Sequence, residues 1–137
     1  MRVEFSLLAE YASASADGRV SIIGGGIRRM GAPTFPVTIP SLCLLAGFEM
    51  TPAECLANPE VEVRILDSGG RTAMVPVKAR LDARPRPEDP DGPVEVRLVW
   101  GIQSLTIPIP GEYSVQLLHK GRPLITQTLE FVVKSVQ

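Results

Sequence analysis

Histidine is nearly missing from this chain: His119 is the one instance. A cupin-type metal centre, a zinc-protease site and a facial triad of two histidines and a carboxylate all need more than that. No metal and no other cofactor is expected. Cysteine is almost as scarce, with only Cys43 and Cys55. Two cysteines do not make a disulfide framework, so two free thiols in a reducing, cytoplasmic compartment are expected, with one bridge as the alternative. Neither charge sign prevails. The 14 basic and 15 acidic residues leave a net charge of -1, which argues against nucleic acid or an anionic membrane as the main partner. Aromatics make up 5% of the residues. Phe5, Phe48, Trp100, Tyr113 and Phe131 all fall on expected core faces, which leaves few to stack against sugars or bases. No apolar run is long enough to cross a bilayer. Phe5-Ser6-Leu7-Leu8-Ala9, followed by Ala12-Ser13-Ala14, imitates a signal peptide. The run is short and closely flanked by Glu4 and Glu10, so it reads as a first strand.

What is abundant is turn chemistry between alternating segments. The 13 prolines and 12 glycines sit mostly between apolar runs, as in a chain that turns often. Near the C-terminus, Tyr113, Val115 and Leu117 share one face of a strand. Ile125, Leu129, Phe131 and Val133 share one face of the next, broken only by Gln127. Lys120-Gly121 is the expected turn between them, since glycine reaches positive φ without steric cost. A hairpin with one apolar face needs a second sheet to cover it.

The rest of the chain supplies that sheet. Residues 2–9 place Val3, Phe5, Leu7 and Ala9 on one face, with Leu8 as the exception. Ala16-Asp17-Gly18-Arg19 reads as a turn. A strand over 19–23 then runs into Gly24-Gly25-Gly26, a bulge, a bend or a close backbone approach. Pro33, Pro36 and Pro40 predict an extended crossing loop. Residues 41–49 are apolar on both faces, which predicts a central strand or a subunit interface. Thr51-Pro52-Ala53-Glu54 carries a capping box with proline at the first helical position, and Asn58-Pro59 closes the short helix. Strands over 61–66 and 72–81 flank the turn Asp67-Ser68-Gly69-Gly70, and Pro76 predicts an edge or a bulge in the second. Residues 82–93 read as a long exposed loop. In the strand that follows, Val96, Leu98 and Trp100 share a face. Pro110-Gly111-Glu112-Tyr113 enters the last hairpin in the manner of a tyrosine corner, whose hydroxyl returns to upstream backbone. The sum is one domain over residues 1–137, all-β: an antiparallel β-sandwich of about eight strands with one short helix.

Two segments carry a family likeness. They are Leu7-Leu8-Ala9-Glu10-Tyr11-Ala12 with Ala16-Asp17-Gly18-Arg19-Val20-Ser21-Ile22-Ile23-Gly24, and Pro110-Gly111-Glu112-Tyr113 through Lys120-Gly121. Thr51-Pro52-Ala53-Glu54 and the turn after Leu66 fit the same layout. In these the chain resembles a family of small bacterial proteins known as a domain of unknown function. The family often has Asp before the glycine of the last hairpin, where this chain has Lys120, and Gly24-Gly25-Gly26 is richer in glycine. The resemblance implies a bacterial sandwich protein and brings no catalytic residue.

Four candidate chemistries can be weighed on residue type. His119 is either a lone general base or an exposed residue beside a turn, and its isolation favours the turn. Cys55 near a helix start could pair with His119 as a nucleophile, against a small buried apolar residue. Gly24-Gly25-Gly26-Ile27-Arg28-Arg29 resembles an anion cradle, but it lacks the Lys-Ser/Thr pair of a phosphate loop, and prolines replace the helix that should follow. Glu88-Asp89-Pro90-Asp91-Gly92 lacks calcium-loop spacing. The leading expectation is therefore a non-catalytic interaction or assembly module. In it Cys43, Leu45 and Leu118 belong to an apolar outer sheet face covered by a second subunit or another protein. The rival is a small-molecule or anion-binding protein, an enzyme included, with Arg28, Arg29, Arg84 and Arg86 on one loop rim.

Overall fold

The computed structural model describes residues 1–16 and 19–134. Among them lie nine strands and one helix: β1 (Arg2–Ala14), β2 (Val20–Gly25), β3 (Arg29–Ala32), β4 (Val37–Met50), α1 (Pro52–Leu56), β5 (Glu60–Leu66), β6 (Val77–Arg80), β7 (Val94–Ile107), β8 (Gly111–His119) and β9 (Arg122–Val133). They form a four-stranded sheet, β2-β1-β4-β7, and a five-stranded sheet, β3-β9-β8-β5-β6. Every pairing is antiparallel except β3 with β9. The chain is mostly β, as its alternation predicts, with nine strands where the sequence predicts about eight.

Three differences have physical reasons. β3 escapes notice because four residues are too few to show alternation. Pro40 lies inside β4, not in a crossing loop. β1 pairs with β4 only from Cys43 to Glu49, then leaves for β2, so around Pro40 the strand is laddered on the β7 side alone. A missing amide donor is tolerated where one side of a strand is unpaired. Pro76 interrupts the region expected as a long strand, and the regular part shrinks to β6 after it, an edge strand as expected. The turn expected at Ala16-Asp17-Gly18-Arg19 centres on Asp17 and Gly18, which lie outside the described residues.

The core draws on both sheets. Leu8, Leu42, Leu44, Phe48, Ile102 and Ile107 from the four-stranded sheet join Val63, Ile65, Val115, Leu117, Leu129 and Phe131 from the five-stranded one in a single buried cluster. Tyr113 stacks edge-on against Phe131, with ring centroids 5.4 Å apart. Its hydroxyl donates to the Ile109 carbonyl at 2.7 Å, the upstream return that the Pro-Gly-x-Tyr pattern predicts. Val133, by contrast, is exposed at the end of β9.

A register irregularity between Val3 and Phe5 resets the first strand. Val3 pairs with Phe48 on the core face. Phe5, Leu7 and Ala9 pair with Gly47, Leu45 and Cys43 on the opposite face. Leu8, the apparent exception, is the core residue at 1% exposure. The inversion puts Ser6 on the inner face. There the Gln127 side-chain amide donates to the Ser6 hydroxyl at 2.6 Å, across from one sheet to the other.

The last hairpin closes on a two-residue turn. His119 pairs with Arg122, and Lys120 and Gly121 hold φ of +51° and +76°. This is the left-handed turn that matches strand twist. Lysine adopts that conformation at a cost, whereas asparagine visits it readily. Lys120→Asn should raise the unfolding free energy by about 0.5–1 kcal/mol. Urea titration checks it, and a midpoint that stays put or falls excludes backbone strain at Lys120.

Candidate functional site

A cleft of about 560 Å³ opens at one end of the five-stranded sheet. Its walls come from the loop after α1, the start of β5, β6 and the β8–β9 turn. Alternation builds its charge pattern. Glu60 and Glu62 stand on β5 directly opposite Arg80 and Lys78 on β6, so opposite charges face each other on one side of the sheet. Arg80 reaches Glu60 at 4.0 Å and donates to the Asn58 carbonyl at 3.1 Å. His119, Lys120 and buried Leu118 complete the far wall. The single histidine flanks the turn, as expected, but is half-buried against the cleft and not exposed.

Glu54 shapes the floor. It completes the capping box of α1: its backbone N–H donates to the Thr51 hydroxyl at 3.2 Å, and its carboxylate accepts from the Thr51 N–H at 3.0 Å. The same carboxylate accepts from the α-ammonium of Met1. That ammonium first, and the Thr51 amide second, hold the Glu54 carboxyl below the usual glutamate range. Cys55 follows Glu54 but is buried and is not part of the cleft wall. Burial, with the Glu54 charge beside it, pushes its thiol above the ordinary cysteine value, which works against a nucleophile. Cys43 and Cys55 are both free.

The four candidate arginines do not share a rim. Arg28 and Arg29 line a hollow of about 540 Å³ against β9, and Arg29 sits 3.6 Å from Glu130. Arg84 and Arg86 line another, of about 440 Å³, against the start of β7. The first pair leads into β3 and the second follows β6, the two opposite edges of the five-stranded sheet. The glycine run is no anion cradle either. The amides of Gly26 and Ile27 both donate to the Leu8 carbonyl, at 2.8 and 3.1 Å, which leaves neither for a phosphate. Among the described residues, no three His, Cys, Asp or Glu side chains gather where a metal ion could sit. Among the described residues, no helix is long and apolar enough to cross a membrane.

The residues expected at an interface are buried within the chain itself. Cys43, Leu45 and Leu118 are 6%, 0% and 4% exposed. Leu45 lies between Leu7 of β1 and Val99 of β7, so the outer face of the four-stranded sheet covers its own centre. What that face leaves bare is its flank. Tyr11 of β1 and Ile23 of β2 are direct cross-strand neighbours, at 53% and 62% exposure. Half-buried Phe5, Leu7 and Val99 continue the apolar surface across the sheet. Over Phe5, the Arg97 guanidinium lies 5.3 Å from the ring centroid, and Glu4 lies 3.5 Å from its Nη1.

Residue order alone shows the cleft only in part. The signal was the alternation Glu60, Glu62 against Lys78, Arg80, which becomes a site once the two strands pair. The bare flank was hidden because the register shift in β1 is not written in the residue pattern. A pH consequence follows from Glu54. A carboxyl with a lowered folded-state pKa adds stability above its unfolded pKa, about 4.3, and loses it as pH falls through the folded value. The wild-type melting temperature should fall over that acid window. Glu54→Gln, which can still serve a capping box, should fall less steeply there. Superimposable melting-temperature profiles from pH 6 down to about pH 3 would remove Glu54 from the acid response.

No curated protein matches the chain. A family model does, and residues 4–134 fall within it, from the first strand to just past the last. With nearly its whole length matched, the chain belongs to the family of unknown function DUF6941.

Proposed function

We propose that the two sheets pack face to face as a β-sandwich and that the protein is a non-catalytic assembly module, which self-associates through the outer face of its four-stranded sheet. The shared core and the Ser6–Gln127 bridge support the sandwich. One observation carries the functional reading: Tyr11 and Ile23, a large exposed apolar pair, continue an apolar sheet face that the chain covers only at its centre. A contiguous bare patch of this kind marks a contact surface more often than scattered single residues do. Two free, buried thiols suit a reducing, cytoplasmic setting. Sedimentation at micromolar concentration should give a particle heavier than 14.8 kDa. The pair Tyr11→Asp and Ile23→Asp should lower the mass without lowering the melting temperature. An unchanged mass in that variant removes the outer face from the assembly.

A second reading, a small-molecule binder, is favoured by the cleft, whose volume of about 560 Å³ falls within the usual range for such sites. It places the ligand at His119, Lys78 and Arg80 and not at Arg28, Arg29, Arg84 and Arg86. Calorimetric titration with small carboxylates should then give heat that Lys78→Ala with Arg80→Ala abolishes. Absence of heat with the wild-type protein ends this reading for that ligand class.

A further inference from the structure

The charges that line the cleft are not all engaged. Glu54 is held by the Met1 ammonium and the Thr51 amide, and Arg80 by Glu60 and the Asn58 carbonyl. Among the described residues, Lys78, Lys120 and Glu62 make no ion pair and no side-chain hydrogen bond. Two unengaged cations beside one unengaged carboxylate leave a single positive charge for a ligand to answer. The strand register shows what stands next to it. Val61 and Val63 enter the core, so Glu62 between them faces outward. Lys78 and Leu118 stand directly opposite Glu62, one on each side, and share that outer face. Leu118 lines the cleft with Ala57 and Pro59, and the methylene stems of Lys78 and Arg80 add to the same apolar wall.

We propose that the cleft takes a small monocarboxylate with an apolar chain, its head group on Lys78 and Lys120 and its chain along the wall of Leu118, Ala57 and Pro59. The inference rests on the small-molecule reading of this cleft and narrows its ligand class. Charge sets one limit. A single negative charge answers the single positive one, whereas the second charge of a phosphate monoester would be repelled by Glu62 beside Lys78. Carbon sets the other. Exposed ion pairs contribute little by themselves, so a compact anion such as acetate gains little here. An apolar chain on the wall leaves water, and that gain grows with its length. A chain lying on a wall covers about half of its surface. Each added methylene should therefore tighten binding about twofold, against about fourfold for a fully buried one.

The test is a calorimetric series on the wild-type chain with acetate, butanoate, hexanoate, octanoate, octyl phosphate and octylamine. It is run at about pH 7.5, where a carboxylate carries one charge and a phosphate monoester nearly two. Affinity should rise roughly tenfold from butanoate to octanoate. Octyl phosphate should bind several-fold more weakly than octanoate, and Glu62→Gln should close that gap. Lys78→Gln combined with Lys120→Asn should abolish octanoate binding. Equal affinity for acetate and octanoate overturns the apolar class and leaves the small-carboxylate reading standing. Octyl phosphate or octylamine binding more tightly than octanoate overturns the charge argument. Octanoate binding that survives the loss of both lysines belongs elsewhere on the surface and overturns the site. A chain that binds none of the carboxylates overturns the inference and the reading beneath it together.

Discussion

β4 must be covered on both faces, and the rest of the structure follows from that. Residues 42–48 are all buried. Alternate side chains point to opposite faces of a strand, so one layer cannot hide them. The even positions, Leu42, Leu44, Ala46 and Phe48, enter the cluster shared with the five-stranded sheet. The odd ones, Cys43, Leu45 and Gly47, are roofed by Phe5, Leu7 and Val99 from the neighbouring strands. Gly47 makes that roof possible. A Cβ there would run into the Phe5 ring, so the glycine is the socket into which Phe5 folds. Arg97 then lies over the same ring. Gly47, Phe5 and Arg97 stack outward from β4, and the face closes at its centre and stays open at its flank.

The register shift in β1 is what aims Phe5 outward, and it carries a polar cost inward. Ser6 turns toward Gln127 of the other sheet. Ser6 is half-buried, so its hydroxyl is only partly screened from water, and a made hydrogen bond returns about 0.5–1.5 kcal/mol. Gln127, the one polar residue on the inner face of β9, offsets the penalty by donating to the Ser6 hydroxyl. Each residue alone looks like a flaw in its strand. Together they are a bridge between β1 and β9, and a slip of either strand would leave both groups unpaired.

How far the sequence reaches depends on the range of the interaction. The Thr51–Glu54 capping box, the Lys120-Gly121 turn, the Asp67 turn and the Tyr113 return are all closed within five residues, and each is legible from residue types. The faces of β5, β8 and most of β9 follow from alternation and are also legible. β1 is not, since a bulge changes which residues share a face and depends on the partner strand. Nor is the cleft, whose charges come together from Glu60 on β5 and Arg80 on β6, twenty residues apart in sequence and neighbours only after pairing. Alternation does place Cys43 and Leu45 on a second apolar face. Their cover by Leu7 and Val99 is a long-range matter that no local pattern contains.

The two bare features differ in what a partner must displace. In the cleft the charges already answer one another: Glu60 with Arg80, Glu62 opposite Lys78, Glu54 with the Met1 ammonium. A ligand there exchanges existing pairs for new ones, and exposed ion pairs are worth only about 0–1 kcal/mol each, so the net gain stays small unless it fits closely. The outer flank has no such competitor. Fully covering an isoleucine side chain is worth about 1.5–3 kcal/mol, and Ile23 has 62% of its surface still to cover. Covering Ile23 with Tyr11 breaks no hydrogen bond between protein groups, because neither side chain makes one among the described residues. The balance of energies thus supports the proposed assembly through the four-stranded sheet over the cleft reading. The charged cleft on the other sheet would remain open in such an assembly, since its walls belong to β5, β6 and the β8–β9 turn.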